Sequence, residues 1–171
     1  MRTDNHNEDN TVGSCPTEEE RAYIAGFLDG DGSLMFQLKK RIDTKRGLRM
    51  MATICFYQDS RHDKPLEWIR QVLGIGYLSR RNDGMTELRV NGFTKVRSIL
   101  EMLAPYIRFK KIQAYTIISA CTLLEHVSFT KLTTTQKRKV CEYAFRVQEN
   151  NYKTYKKRTL EEFYRDIGLT P

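Results

Sequence analysis

Asp29 and Asp31 stand at the end of an apolar run, Tyr23-Ile24-Ala25-Gly26-Phe27-Leu28-Asp29-Gly30-Asp31-Gly32-Ser33. Glycine accepts the positive-φ conformation in which helices end. The two carboxylates are therefore expected at the C-terminal end of a helix, where the peptide dipoles leave partial negative charge. Carboxylates gain nothing from that field. A divalent cation would relieve the crowding, because carboxylate and backbone carbonyl oxygens are hard ligands for Mg²⁺ or Ca²⁺. A bare Asp-Gly-Asp-Gly run also describes an ordinary solvated turn; the helix before it makes the difference.

Ala22, Gly26 and Gly30 are spaced four apart and share one side of that helix, and Ala25 adjoins them. Each interior glycine costs about 1 kcal/mol relative to alanine. The compensation expected is close approach of another backbone. The simplest partner is the same helix of a second copy across a two-fold axis, which would bring two copies of Asp31 together. The alternative is packing against another helix of the same chain. Ala22, Ala25, Gly26 and Asp29 are the residues expected at such a dimer interface.

The rest of the chain reads as a scaffold for this helix. Thr17 and Glu20 have capping-box spacing, so the helix should start near residue 18. Residues 33–41 and 48–57 alternate as half-buried strands, with Leu34, Phe36, Leu38, Met50, Ala52, Ile54 and Phe56 inward. Residues 42–47 form the polar loop between them. Asp63 and Pro65 open a helix that Gly74 closes. Tyr77–Arg81 and Thr86–Val90 flank Asn82-Asp83-Gly84, a hairpin signal. Further helices are expected from Thr94 to Leu103, with Pro105 after it, and over 110–126, 135–150 and 160–167. The order αββαββα with helical additions is an α+β plan, one helix layer covering a four-stranded antiparallel sheet.

The uncovered sheet face would carry Gln37, Lys39, Arg41, Arg49, Thr53, Ser79, Arg81, Glu87 and Arg89, with Ser33, Met35, Met51 and Cys55 among them. Arg and Lys read guanine edges, Gln reads adenine and Glu accepts from cytosine. A face built only for phosphates would be mainly Lys and Arg, so the mixture suggests base readout. An ordinary solvated face would look similar. Lys153, Lys156, Lys157 and Arg158 lie in a polar connection suited to gripping a phosphate backbone.

The 171 residues suffice for one domain, expected over 17–171. Lys and Arg number 29 against 21 Asp and Glu, and the net charge of +8 favours a polyanion. No apolar run reaches the length of a membrane span, so no membrane is expected as partner. Residues 1–16 are polar and read as a disordered arm, without signal- or transit-peptide character. Cys15, Cys55, Cys121 and Cys141 are scattered, as are the histidines, so reduced thiols are expected and a zinc site is not.

The run Ile24-Ala25-Gly26-Phe27-Leu28-Asp29-Gly30-Asp31-Gly32 resembles the motif of the LAGLIDADG homing endonucleases. Phe56-Tyr57-Gln58, Gly74-Ile75-Gly76-Tyr77-Leu78 and Pro105 to Ala114 extend the resemblance, which covers roughly residues 20–165. It points to the single-motif, homodimeric members encoded in algal organelle group I introns. The resemblance implies a curved sheet as DNA-binding saddle and a long pseudo-palindromic double-stranded DNA site. It implies cleavage of both strands across the minor groove that leaves short 3′ overhangs. Asp31 and the carbonyl of Gly30 match the metal ligands. Gln58 and Lys110 match two residues around the attacking water. A third, usually Arg, falls at His62, with Arg61 as the other candidate. Mg²⁺ is the implied cofactor, with Mn²⁺ possible as a substitute and Ca²⁺ binding without cleavage. A chloroplast is implied ahead of a mitochondrion. Two alternatives on the same fold are an RNA-binding intron maturase and a DNA-binding protein that has lost catalysis.

Overall fold

The computed structural model describes residues 15–40, 48–152 and 157–170. All but the last two residues of the expected N-terminal arm, and the 42–47 loop, lie outside the described residues, as do Arg41, Lys153 and Lys156.

The first helix, α1, spans Glu18–Asp31. Thr17 Oγ1 accepts from the Glu20 N–H at 3.2 Å, and the Glu20 carboxylate accepts from the Thr17 N–H at 2.8 Å. The helix ends at Gly32, but not through the expected left-handed residue: Gly32 has φ −113° and ψ 171°, extended backbone. Glycine is needed there for space. A Cβ on Gly32 would lie 2.6–2.8 Å from the side chain, carbonyl and Cα of Leu28.

Strands β1 (Gly32–Lys40), β2 (Leu48–Asp59), β3 (Tyr77–Arg80) and β4 (Met85–Asn91) form one antiparallel sheet in the order β1-β2-β4-β3. Its register stacks Leu34, Ile54 and Val90 in one row and Phe56 beside Leu88 in another. These side chains are buried, and the helix layer covers that face. The layer comprises α1, α2 (Lys64–Leu73), α3 (Phe93–Leu103), α4 (Lys111–Leu124) and α5 (Thr134–Glu149), with α6 (Leu160–Asp166) against α5. The alternation in the strands thus produces one apolar face and one polar face, as in antiparallel sheets covered on one side only.

Two local devices differ from expectation. Asp63 does not cap α2: its carboxylate accepts from Thr86 Oγ1 at 3.0 Å and faces Arg80 at 3.5 Å. Tyr152, a large aromatic for which packing is the ordinary expectation, is 86% exposed. Gly74 does end α2 in the left-handed region, at φ +65°.

Candidate active site and nucleic-acid interface

The chemistry gathers where α1 ends. Asp29 turns its carboxylate toward the start of α4. One oxygen accepts from the N–H groups of Arg108 (2.6 Å) and Phe109 (3.2 Å), and the other from Lys110 (3.0 Å). Arg108 and Phe109 immediately precede α4 and Lys110 is its N-cap residue, whose own side chain supplies no cap. Asp29 therefore has a structural role inside its own chain, rather than a free side chain at an interface.

The clamp brings Lys110 back onto α1. Its Nζ donates to the main-chain carbonyl of Asp29. Lys110 is only 8% exposed. Burial pulls its ammonium below the usual lysine range, opposed by the charges of Asp29 and Asp31. Asp31 is exposed, as is Gly30, where an added Cβ would meet nothing. The last four carbonyls of a helix lack intrahelical partners, and that of Gly30 is among them. One carboxylate, one carbonyl and one lysine thus converge on a single helix end.

Gln58 reaches the same end from the sheet. Gly32 opens β1 opposite Phe56, so β2 runs on past the start of β1, and Gln58 lies two residues further. Its side-chain oxygen accepts from the Asp59 N–H at 2.8 Å. A 3-10 turn, Ser60–His62, follows. Ser60 Oγ and Thr86 Oγ1 lie 2.8 Å apart and tie the turn to β4. Arg61 is held by Asp59: Nε to Oδ1 is 3.0 Å and Nη2 to Oδ2 is 2.7 Å, with the Arg61 N–H also donating to Oδ1 at 2.9 Å. This pairing holds the Asp59 carboxyl well below the usual carboxylate range. His62 closes the turn, exposed.

Among the described residues, no three His, Cys, Asp or Glu side chains are grouped to hold a metal. The donor set at α1 is nevertheless of the right kind for Mg²⁺, which keeps several waters and needs only one or two carboxylates plus substrate phosphates. It is the wrong kind for Zn²⁺, which favours His and Cys.

The open sheet face holds most of the expected polar set. Gln37, Lys39, Arg49 and Arg81 are exposed, while Ser33, Met35, Met51, Ser79 and Arg89 are half-buried. Three expected contacts are covered instead: Thr53 is 1%, Cys55 0% and Glu87 7% exposed. Thr53 donates to Asn91 at 2.7 Å, and Asn91 donates to the Tyr77 hydroxyl at 3.3 Å. Cys55 lies beside Tyr57, whose hydroxyl meets Ser33 Oγ at 3.1 Å; burial pushes the Cys55 thiol up. Thr53 and Cys55 form the floor of this face rather than its reading tips. Tyr57, Tyr77 and Asn91 were missed, although the alternation already turned Tyr57 outward. Lys157 donates to the Glu149 carbonyl at 3.2 Å.

On the far side of α1, Ala22 and Gly26 are exposed, continuing the stripe to Gly30. Ala25 is not: at 0% exposure it belongs to the core with Ile24 and Leu28, and cannot touch a second copy. Apolar side chains flank the stripe. Tyr23 is 54% exposed and meets Trp68 edge-on at 5.4 Å, and Phe109 is 76% exposed.

The profile of the LAGLIDADG endonucleases matches residues 24–122, from the apolar core of α1 through α4. The chain belongs to the LAGLIDADG endonuclease family. The DNA endonuclease I-CvuI of Chlorella vulgaris is 38% identical over 99 residues, 57% of this chain. That alignment spans 60% of the relative's length. The DNA endonuclease I-CreI of Chlamydomonas reinhardtii is 24% identical over 139 residues, 81% of this chain and 83% of its own. The fold agrees over a longer stretch. A crystal structure of I-CvuI with its DNA target and Ca²⁺ superposes with a TM-score of 0.77 at 24% identity, covering 91% of this chain and all of that one. A second I-CvuI structure, with the I-CreI target uncleaved in Mg²⁺, gives 0.70 at 28% identity over 90% of this chain and 98% of that one. The family's sheet and helix layer are those described above. No helix among the described residues is long and apolar enough to cross a membrane.

Proposed function

We propose that this chain is a site-specific, double-strand DNA endonuclease that acts as a homodimer with a divalent metal ion, Mg²⁺ in the cell. The observation that carries the reading is the helix end itself. Asp31 is exposed beside the Gly30 carbonyl, Lys110 is buried against the same turn, and a polar strand face adjoins them. Relatives named as DNA endonucleases, one solved on its DNA target, support it.

Asp31 and the Gly30 carbonyl would hold the ion. When bound, it supplies activation of water and neutralisation of the scissile phosphate. Lys110 is set to stabilise negative charge growing on that phosphate, and its burial strengthens the interaction. Gln58 orients the attacking water. Of the two candidates for the basic position, His62 is the better: the Arg61 guanidinium is occupied by Asp59, while His62 stands exposed at the end of the turn. Ala22, Gly26 and Gly30 would admit the partner's α1, so that each copy presents one Asp31 to one strand. The target would be a long pseudo-palindrome cut to short 3′ overhangs. Mn²⁺ would replace Mg²⁺, and Ca²⁺ would support binding without cleavage. Relatives from two algae favour a chloroplast.

The test is a cleavage selection on randomised pseudo-palindromic duplexes in Mg²⁺, with Asp31→Asn beside the wild type. Wild-type cutting of an enriched site, with binding but no cutting by Asp31→Asn, is the expected result. Cutting by the variant would remove Asp31 from the mechanism. A monomer on DNA in sedimentation would end the two-fold arrangement. Preference for structured intron RNA over any duplex would replace the endonuclease with a maturase.

A further inference from the structure

Glu87 is the one acidic side chain expected on the reading face, and it is nearly buried there. Its neighbours explain why. Oε1 lies 2.8 Å from Arg89 Nη2, Oε2 accepts from the same nitrogen at 3.0 Å, and Arg81 Nη1 stands 4.0 Å from Oε2. Register fixes the group: Glu87 sits between Tyr57 on β2 and Ser79 on β3, and Arg89 between Cys55 and Tyr77. Arg81 completes it, with its guanidinium 6.0 Å over the Tyr57 ring and a 2.7 Å bond to Asp83.

We infer that Glu87 is a positioning residue for sequence discrimination: it reads no base itself but fixes Arg89, and through it the base pair that Arg89 recognises. The inference rests on the endonuclease reading of the chain. A carboxylate nearly buried, with both oxygens turned toward Arg89, is poorly placed to accept from a cytosine amine. Arg89 uses Nη2 toward Glu87 and keeps further hydrogens on Nη1 and Nη2, the end of the fork that suits guanine O6 and N7. Its Nε is buried without a partner among the described residues, so the side chain is pressed against the sheet rather than swinging free. A fixed fork discriminates better than a floppy one, because its ordering entropy is spent in folding rather than on DNA. A nearly buried ion pair of this kind is often no more stabilising than an apolar replacement, so stability alone does not account for it. Opposite lies the other half of the face, where Gln37, Lys39 and Arg49 are exposed. Discrimination is therefore expected to be strict at the base pairs under the β4 cluster.

The experiment compares wild type, Glu87→Gln, Glu87→Asp, Arg89→Gln and the double variant Glu87→Gln/Arg89→Gln in the same cleavage selection, position by position. Glu87→Gln should lose about tenfold in discrimination at one or two adjacent base pairs of each half-site, the size of one good bidentate contact. Those pairs should be the ones that Arg89→Gln relaxes. Glu87→Asp should recover part of the loss. The double variant removes both charges, which guards against misfolding from an unpaired one, and should match Arg89→Gln. An unchanged profile, an even loss at all positions, or loss at pairs that Arg89→Gln leaves alone would each overturn the inference while leaving the endonuclease reading intact. A wild type that cuts no duplex would overturn the endonuclease reading first and this inference with it.

Discussion

Asp29 and Asp31 are separated by one residue, yet replacing each with alanine is expected to damage different properties. Asp29→Ala removes an ionised acceptor from three N–H groups, at 2.6, 3.2 and 3.0 Å. Bonds to a charged partner contribute about 1.5–3 kcal/mol net, and loss of a helix cap costs about 1 kcal/mol, up to about 2. Two of the donors belong to the exposed residues Arg108 and Phe109, where water can replace the carboxylate; the third belongs to buried Lys110. The expected loss is about 2 kcal/mol, or about 4–8 °C in melting temperature for a chain of this size. Asp31→Ala removes an exposed carboxylate from the negative end of α1, so stability should hold or rise slightly while cleavage disappears. The assay is urea unfolding of both variants at one protein concentration, without metal or DNA, reading the midpoint at unchanged slope. A wild-type midpoint for Asp29→Ala, or an equal loss in Asp31→Ala, would refute the assignment of Asp29 as the clamp between α1 and α4.

Lys110→Met should lower the cleavage rate by about 10²–10³ without loss of folding stability, because burial disfavours the charge that it removes. The pH dependence follows from the same cause: an unfolded lysine titrates near 10.4 and the folded Lys110 below it. Between the two values the unfolded chain holds more protons, so wild-type stability gains a rise with pH there, and urea titrations of Lys110→Met should lack it. Gly32→Ala should cost about 1–3 kcal/mol by overpacking against Leu28, and calorimetry giving a wild-type melting temperature would contradict this. Arg61→Ala should cut DNA nearly normally and His62→Ala should not, as measured by single-turnover cleavage; the reverse order would return the basic role to Arg61.

Much of the fold was legible because short-range signals agreed. Thr17 and Glu20 marked the start of α1 by a reciprocal cap, and Gly74 marked the end of α2 by its φ. The alternation of Leu34, Phe36 and Leu38 opposite Met50, Ala52 and Ile54 fixed two strands and their inward face. What escaped was long-range. Asp29 reaches residues 79–81 positions away, and no local pattern reports that. Alternation says which face a side chain leaves from, not what leans over it. Cys55 and Thr53 left the sheet outward, then disappeared beside Tyr57 and Asn91.

Helix geometry accounts for the burial of Ala25 and for the divergence of the two carboxylates. Successive residues turn by about 100°, so residues two apart face nearly opposite ways. Once Leu28 and Ile24 take the core side, Ala25 falls beside them and Ala22 and Gly26 fall away, which is the burial observed. By the same rotation Asp29 and Asp31 cannot both reach α4. Asp29 does, and spends its charge on backbone donors. Asp31, the last residue of α1, is exposed because the helix stops there, and its charge is uncommitted to that clamp, which is what the proposed metal role requires.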